Sequence, residues 1–264
     1  MKIFDAHVHV FPEKIAEKAT LATGDYYGVK MYSTGNIENI KKELSKGIIT
    51  KCLIHSTATR ADQVSHINDY IARLVSENEE FVGFGTMHAG FDGIKEEVER
   101  IISLGLLGIK LHTDFQGFAI DDDSALPIYE AARGQLPILF HVGDTKSDLS
   151  APERVAKICE MFPDLTVIAA HLGGYSVWDR AEASLVGKYK NLYFDASSSI
   201  DFMDKEQAIR IIKNHGTDKI LFGSDFPMHN PEGTVKKLLD MGFSKKDNEK
   251  MFYKNAEKLL KIKI

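Results

Sequence analysis

Ile3-Phe4-Asp5-Ala6-His7-Val8-His9 opens the chain with a short apolar run that ends in two histidines two residues apart. In a β-strand, residues i and i+2 share one face, so both imidazoles aim the same way. Their Cα atoms then stand about 6.5–7 Å apart, close enough for two rings to reach one ion through bonds of about 2.0–2.1 Å. The pair reads as half of a metal site. Two exposed rings on a strand would give the same pattern, and the rest of the chain has to decide.

Working outward, short β-branched apolar runs alternate with amphipathic helical segments. The runs end near His9, Ser56, His88, His112, His141, His171, Asp195 and Asp225, at spacings of 24 to 47 residues. Each interval holds about one strand, one helix and two short loops. Helical rhythm is clear in Ile94, Val98, Ile101 and Ile102, and again in Val155, Ile158, Cys159 and Phe162. Alternating strand and helix implies a parallel sheet. An open doubly wound sheet would carry a glycine-rich phosphate turn after an early strand, and none occurs. Polar residues at nearly every strand end instead fit a (β/α)8 TIM barrel of the α/β class, read as a single domain over 1–264. Lys245–Ile264 reads as an extra C-terminal helix, with Met251, Phe252, Ala256, Leu259 and Leu260 facing inward to seal the outer ring. The long connection from Phe11 to Gly47, containing Thr23-Gly24-Asp25-Tyr26-Tyr27-Gly28, is a candidate lid.

Composition narrows the function classes. The 264 residues are 44% hydrophobic and 27% charged, with a formal net charge of -5, which points to a small-molecule substrate and away from nucleic acid or an anionic membrane. No signal-peptide pattern or apolar run of about 18 residues is present, so a cytoplasmic location is expected. Cys52 and Cys159, the only cysteines, read as reduced packing residues.

Closing eight strands places the last beside the first, which brings Asp225 toward His7 and His9. Asp225 lies in Gly223-Ser224-Asp225-Phe226-Pro227, His141 ends Pro137-Ile138-Leu139-Phe140, and His171 ends Leu165-Thr166-Val167-Ile168-Ala169-Ala170. With His7-x-His9 and Gly108-Ile109-Lys110-Leu111-His112, these motifs resemble, in order and along nearly the whole chain, the amidohydrolase superfamily. The similarity is closest to its amidohydrolase-related branch of metal-dependent hydrolases and decarboxylases. The resemblance implies that His7, His9, His141 and Asp225 bind one divalent ion, usually zinc, while His171 acts on the substrate. It leaves open a second ion, held through a carboxylated Lys110 with His141 and His171, and it raises a homodimer as an option.

Three neutral imidazoles and a carboxylate suit zinc. Asp225 is expected to shuttle a proton for a metal-activated water, and His171 to polarise a substrate carbonyl. Arg60, Lys110 and His112 are the candidate substrate-binding residues and suggest a carboxylated compound. Asp114 and Gln116 read as either substrate or loop residues, and Asp195 as an orienting group behind a ligand. His88 and Trp178 are candidate pocket residues, whereas His55, His66, His215 and His229 read as structural or solvent-facing. The expected reaction is hydrolysis of a small, carboxylated amide, ester or lactone. The alternative is zinc-dependent, non-oxidative decarboxylation of a small unsaturated or aromatic acid.

Overall fold

The computed structural model describes residues 1–264 and contains nine short parallel strands that make eight staves of one barrel. They are β1 (Phe4–His9), β2 (Lys51–His55), β3 (Phe81–Gly83), β4 (Gly85–Thr86), β5 (Ile109–Leu111), β6 (Ile138–Phe140), β7 (Val167–Ala169), β8 (Leu192–Asp195) and β9 (Ile220–Leu221). β3 and β4 are two halves of one stave. Between them Phe84 N–H donates to Ile54 O on one side, and Gly85 N–H donates to Gly108 O on the other. Closure of β9 on β1 runs through Ala6 N–H to Phe222 O, Asp225 N–H to His7 O and His9 N–H to Phe226 O, at 2.8–3.0 Å. The (β/α)8 barrel expected from the strand spacing is therefore the fold.

Alternation sorts the strand residues into an inner and an outer layer. Phe4, Ala6, Leu53, Val82, Phe84, Leu139, Ile168 and Leu221 pack inside the barrel, while Val8, Cys52, Ile54, Ile109 and Val167 face the surrounding helices. Phe84 fills the interior because Gly108 has no side chain; a Cβ there would lie within 2.4–2.6 Å of the Phe84 ring. Gly223 serves the seam in the same way, since its Cβ would stand 2.9 Å from that of His7.

β1 contains the irregularity that aims the site. Asp5 pairs with Cys52 but Val8 pairs with Ile54, so the register slips by one and Ala6 and His7 together oppose Leu53. Strict alternation from Phe4 and Ala6 would turn Val8 inward and both histidines outward. The extra residue reverses that parity.

Two expectations gain detail here. The extra C-terminal helix runs unbroken from Lys245 to Leu260 and contains one π-helical turn at Lys250–Lys254. Its Ala256, Leu260 and Ile264 pack on the inner cluster and plug the base of the barrel, while Met251 and Phe252 join the outer layer. The Phe11 to Gly47 connection folds into helices Glu13–Tyr27 and Ile37–Ser45, the first ending over the mouth. Cys52 and Cys159 are buried and free, as expected. No helix is long and apolar enough to cross a membrane.

Candidate active site

Side chains converge at the C-terminal ends of the staves, beneath a cavity of about 400 Å³. His7, His9 and Asp225 come together as the seam requires. The two Nε2 atoms are 3.2 Å apart, and Asp225 Oδ1 lies 3.2 Å from His9 Nε2 and 3.5 Å from His7 Nε2. His7 Nδ1 donates to Asp195 Oδ2 at 2.9 Å, which leaves Nε2 with its lone pair facing Asp225. Asp195 thus orients a ring from behind, as the sequence suggested. Asp225 Oδ2 accepts from Ser198 Oγ. Non-glycine residues with positive φ gather here, at His171 (60°), Ser198 (55°) and Asp225 (61°), where strain is held by the surrounding packing.

The polar contacts of His141 are with neighbours other than this trio. Its Nε2 donates to Gly143 O at 2.9 Å, its ring stacks on His112 with centroids 3.9 Å apart, and its Nδ1 lies 2.9 Å from His171 Nε2. His171 Nδ1 in turn donates to Ser197 O at 3.0 Å. With both outer nitrogens committed to carbonyls, the facing pair presents two lone pairs to each other. Burial lowers the pKa of both rings below the usual histidine value, so neither readily supplies a proton to the gap. Burial first, and then the Lys110 charge, lowers His7 to about 4. Asp225 is held well below the usual carboxylate range, because His7, His9 and His171 outweigh the opposing effect of burial.

Lys110 is fully buried, with Nζ 3.4 Å from His7 Nε2, and burial lowers its pKa to about 8. It lies beneath the cavity and does not line it. The amine thus stands beside the His7, His9 and Asp225 set, and its charge also acts on His141 and His171. Facing lone pairs and a carboxylate oxygen, enclosed and without a proton between them, are a chemistry that fits divalent cations.

The cavity wall is aromatic and apolar. Phe11, Tyr26, Tyr27, Met31, Phe115 and Tyr175 line it, and no lysine or arginine does. Arg60, expected to clamp a carboxylate, is exposed, bonds Asp62 through Nε and Nη2 at 3.0 Å and does not line the cavity. His112 does line the wall, with Nε2 2.9 Å from the Tyr27 hydroxyl. Gln116 is a loop residue, accepting from His112 N–H and donating to Ala58 O and Met87 O. His88 bonds Gly90 N–H and faces Gln116 O, and Trp178 Nε1 donates to His171 O; neither reaches the cavity. His229 stands behind Asp225, 3.1 Å from Ser198 Oγ, and His66 is exposed. His55 is neither solvent-facing nor bonded into the fold: it is fully buried against His7 and His9. The signal for it was its place at the end of β2, opposite His9, obscured because the apolar run reads on to Ser56.

A family model described as Amidohydrolase matches residues 55–262. The chain belongs to the amidohydrolase family. Members of this family are metal-dependent enzymes, in keeping with the clusters of histidine and aspartate side chains at the mouth. A 72-residue stretch is 39% identical to 2-amino-3-carboxymuconate-6-semialdehyde decarboxylase of Dictyostelium discoideum, spanning 26% of this amidohydrolase and 20% of that protein. Among solved structures, an uncharacterized TIM-barrel protein from Bordetella bronchiseptica is similar with a TM-score of 0.79 at 18% identity, over 99% of each chain. A 2,6-dihydroxybenzoate decarboxylase gives a TM-score of 0.75 at 15% identity over 99% of each chain. A probable 2-pyrone-4,6-dicarboxylic acid hydrolase from Acinetobacter baumannii gives 0.70 at 15%, over 99% of this chain and 100% of that one. At these identities the likeness is one of fold.

Proposed function

We propose that this amidohydrolase is a two-cation hydrolase that opens a small ester, amide or lactone with an uncharged, apolar body. One observation carries the reading: two neighbouring donor sets, His7, His9 and Asp225 beside a buried amine and the facing His141–His171 pair, lie beneath a wall without lysine or arginine. His7, His9 and Asp225 would hold one ion, and His141 with His171 the other, zinc being the ion this donor mix suits best. A divalent cation held there supplies Lewis acidity to a carbonyl and lowers the pKa of coordinated water. The Lys110 amine, eased toward its neutral form by burial, is available to add carbon dioxide with loss of a proton; the resulting carbamate would place a negative charge beside the first donor set.

The remaining work falls to residues on the wall. Asp225 is poised to take a proton on Oδ1 and return it to the leaving group, with Ser198 fixing Oδ2. His171, assigned to the second donor set, is not needed as the acid. Tyr27 keeps its hydroxyl protonated, because burial pushes its pKa well above the usual value, and so can donate to a substrate oxygen. Phe11, Phe115 and Tyr175 exclude water and hold a ring or chain by area. Without Arg60, the expected recognition of a substrate carboxylate loses its main support.

Non-oxidative decarboxylation is the second reading, supported by the stretch shared with the semialdehyde decarboxylase. Metal analysis combined with a split assay separates the two. About two ions per chain, with neutral aryl esters or lactones hydrolysed at least roughly 100-fold faster than their carboxylated analogues, is the expected result. Carbon dioxide release from aromatic acids without ester or lactone turnover would overturn hydrolysis in favour of the second reading.

A further inference from the structure

His55 is a buried imidazole that nothing in the fold accounts for. It is 0% exposed, and neither Nδ1 nor Nε2 has a hydrogen-bond partner. A neutral imidazole always carries one N–H and one lone pair, and leaving each unmade in the interior costs about 1–3 kcal/mol. His55 ends β2 directly opposite His9 of β1, so both project into the barrel. Its ring centroid is 4.8 Å from that of His7 and 4.6 Å from that of His9, edge-on to each at 74° and 83°. One donor nitrogen from each of the three rings lies within 4.8 Å of the others.

We propose that His55 is a protein ligand of the cation held by His7, His9 and Asp225. The proposal rests on the metal reading above and names a donor beyond it. Tetrahedral coordination with bonds of about 2.0–2.1 Å sets neighbouring donors about 3.4 Å apart. The three donor nitrogens therefore need to draw together by at most about 1.4 Å to share an ion. The interaction gives its lone pair a partner and leaves only one N–H to satisfy. It also makes this centre three imidazoles and one carboxylate, a set that favours zinc or cobalt over magnesium or manganese.

The test is diffraction from wild-type crystals loaded with Co²⁺, using the anomalous signal to place the metal. The expected result is a peak within about 2.3 Å of a His55 nitrogen, together with His7, His9 and Asp225. In parallel, His55→Leu removes the donor while keeping a buried side chain. Against a competing chelator it should lose metal at this centre with a dissociation constant raised roughly 100-fold or more, and its Co²⁺ visible spectrum should change. A Co²⁺ peak held by the other three residues with both His55 nitrogens beyond about 3 Å overturns the proposal and leaves the metal reading standing. So does unchanged affinity and spectrum in His55→Leu. Wild-type protein that takes up no stoichiometric metal overturns the metal reading and the proposal with it. If His55→Leu fails to fold, the wild-type diffraction still decides.

Discussion

At the base of the barrel His215 stacks on Phe194 with centroids 3.8 Å apart, accepts from Gly187 N–H and donates to Leu192 O. At the mouth His55 is more enclosed still and bonds to nothing. The same residue type is thus finished by protein in one region and left open in the other. The surroundings follow suit. Around the base, Phe4, Leu53, Phe84, Leu139 and Leu221 fill the interior and Leu260 with Ile264 close it, so stability there comes from apolar area and dispersion. Around the mouth, Lys110, His141, His171 and Asp225 are also buried, and enclosing so many polar groups, with His55 unpartnered among them, carries a standing cost. Burial alone does not separate a core from a site; the state of the hydrogen-bond partners does.

The largest test of this contrast is Asp225→Asn, which keeps the shape of the mouth and removes its proton carrier. Turnover measured at matched metal content should fall about 10³-fold or more, with little change in the urea midpoint. A variant with wild-type turnover would place the proton transfer elsewhere. At the base the expectation is reversed. Phe84→Ala should lower unfolding free energy by about 3–5 kcal/mol, because the cavity over Gly108 cannot collapse fully, while kcat below the melting transition changes little. A large kcat loss in the folded variant would show that the two regions are not independent.

The smallest effect concerns pH and isolates the finished histidine. Burial lowers His215 to about 4 from an ordinary value of 6.5, so the folded ring stays neutral where the unfolded one is protonated. Between those values the unfolded chain binds more protons. The contribution is therefore fully present above about pH 6.5 and lost as pH falls toward 4, a total of roughly 2–3 kcal/mol. His215→Gln should flatten that part of the stability-pH curve, measured by denaturant titration at pH 7 and 4.5. An unchanged slope would assign the acid sensitivity to other groups.

Much of this was readable in the chain before any coordinates. The strand ends are legible because each stave is an apolar run stopped by a polar residue, and the order of those residues places Asp225 beside His7 and His9 once the barrel closes. Asp195 was legible as an orienting group for the same reason. The hydrogen-bond partners of His141 and His171 were not, because strand order says which stave a ring sits on and not which nitrogen its neighbours occupy. Gly143 O and Ser197 O decide that. Arg60 misled because its orientation is set by Asp62, two residues on, in a loop that has no repeat to read. His55 was missed because it stands alone in sequence, without a second ligand at i+2; only the pairing of β2 with β1 brings it next to one.

The register slip in β1 reaches further than one strand. Pair β1 with β2 one-to-one from Asp5 onward, without the slip, and the same amino acids could still wind eight staves with the same glycines at the seam, yet both imidazoles would look out at the helices and the mouth would be lined there by valine. The barrel would be shut and inert. Chemistry in this molecule hangs on counting: an odd step in one strand, two residues set against one, turns a wall into a socket.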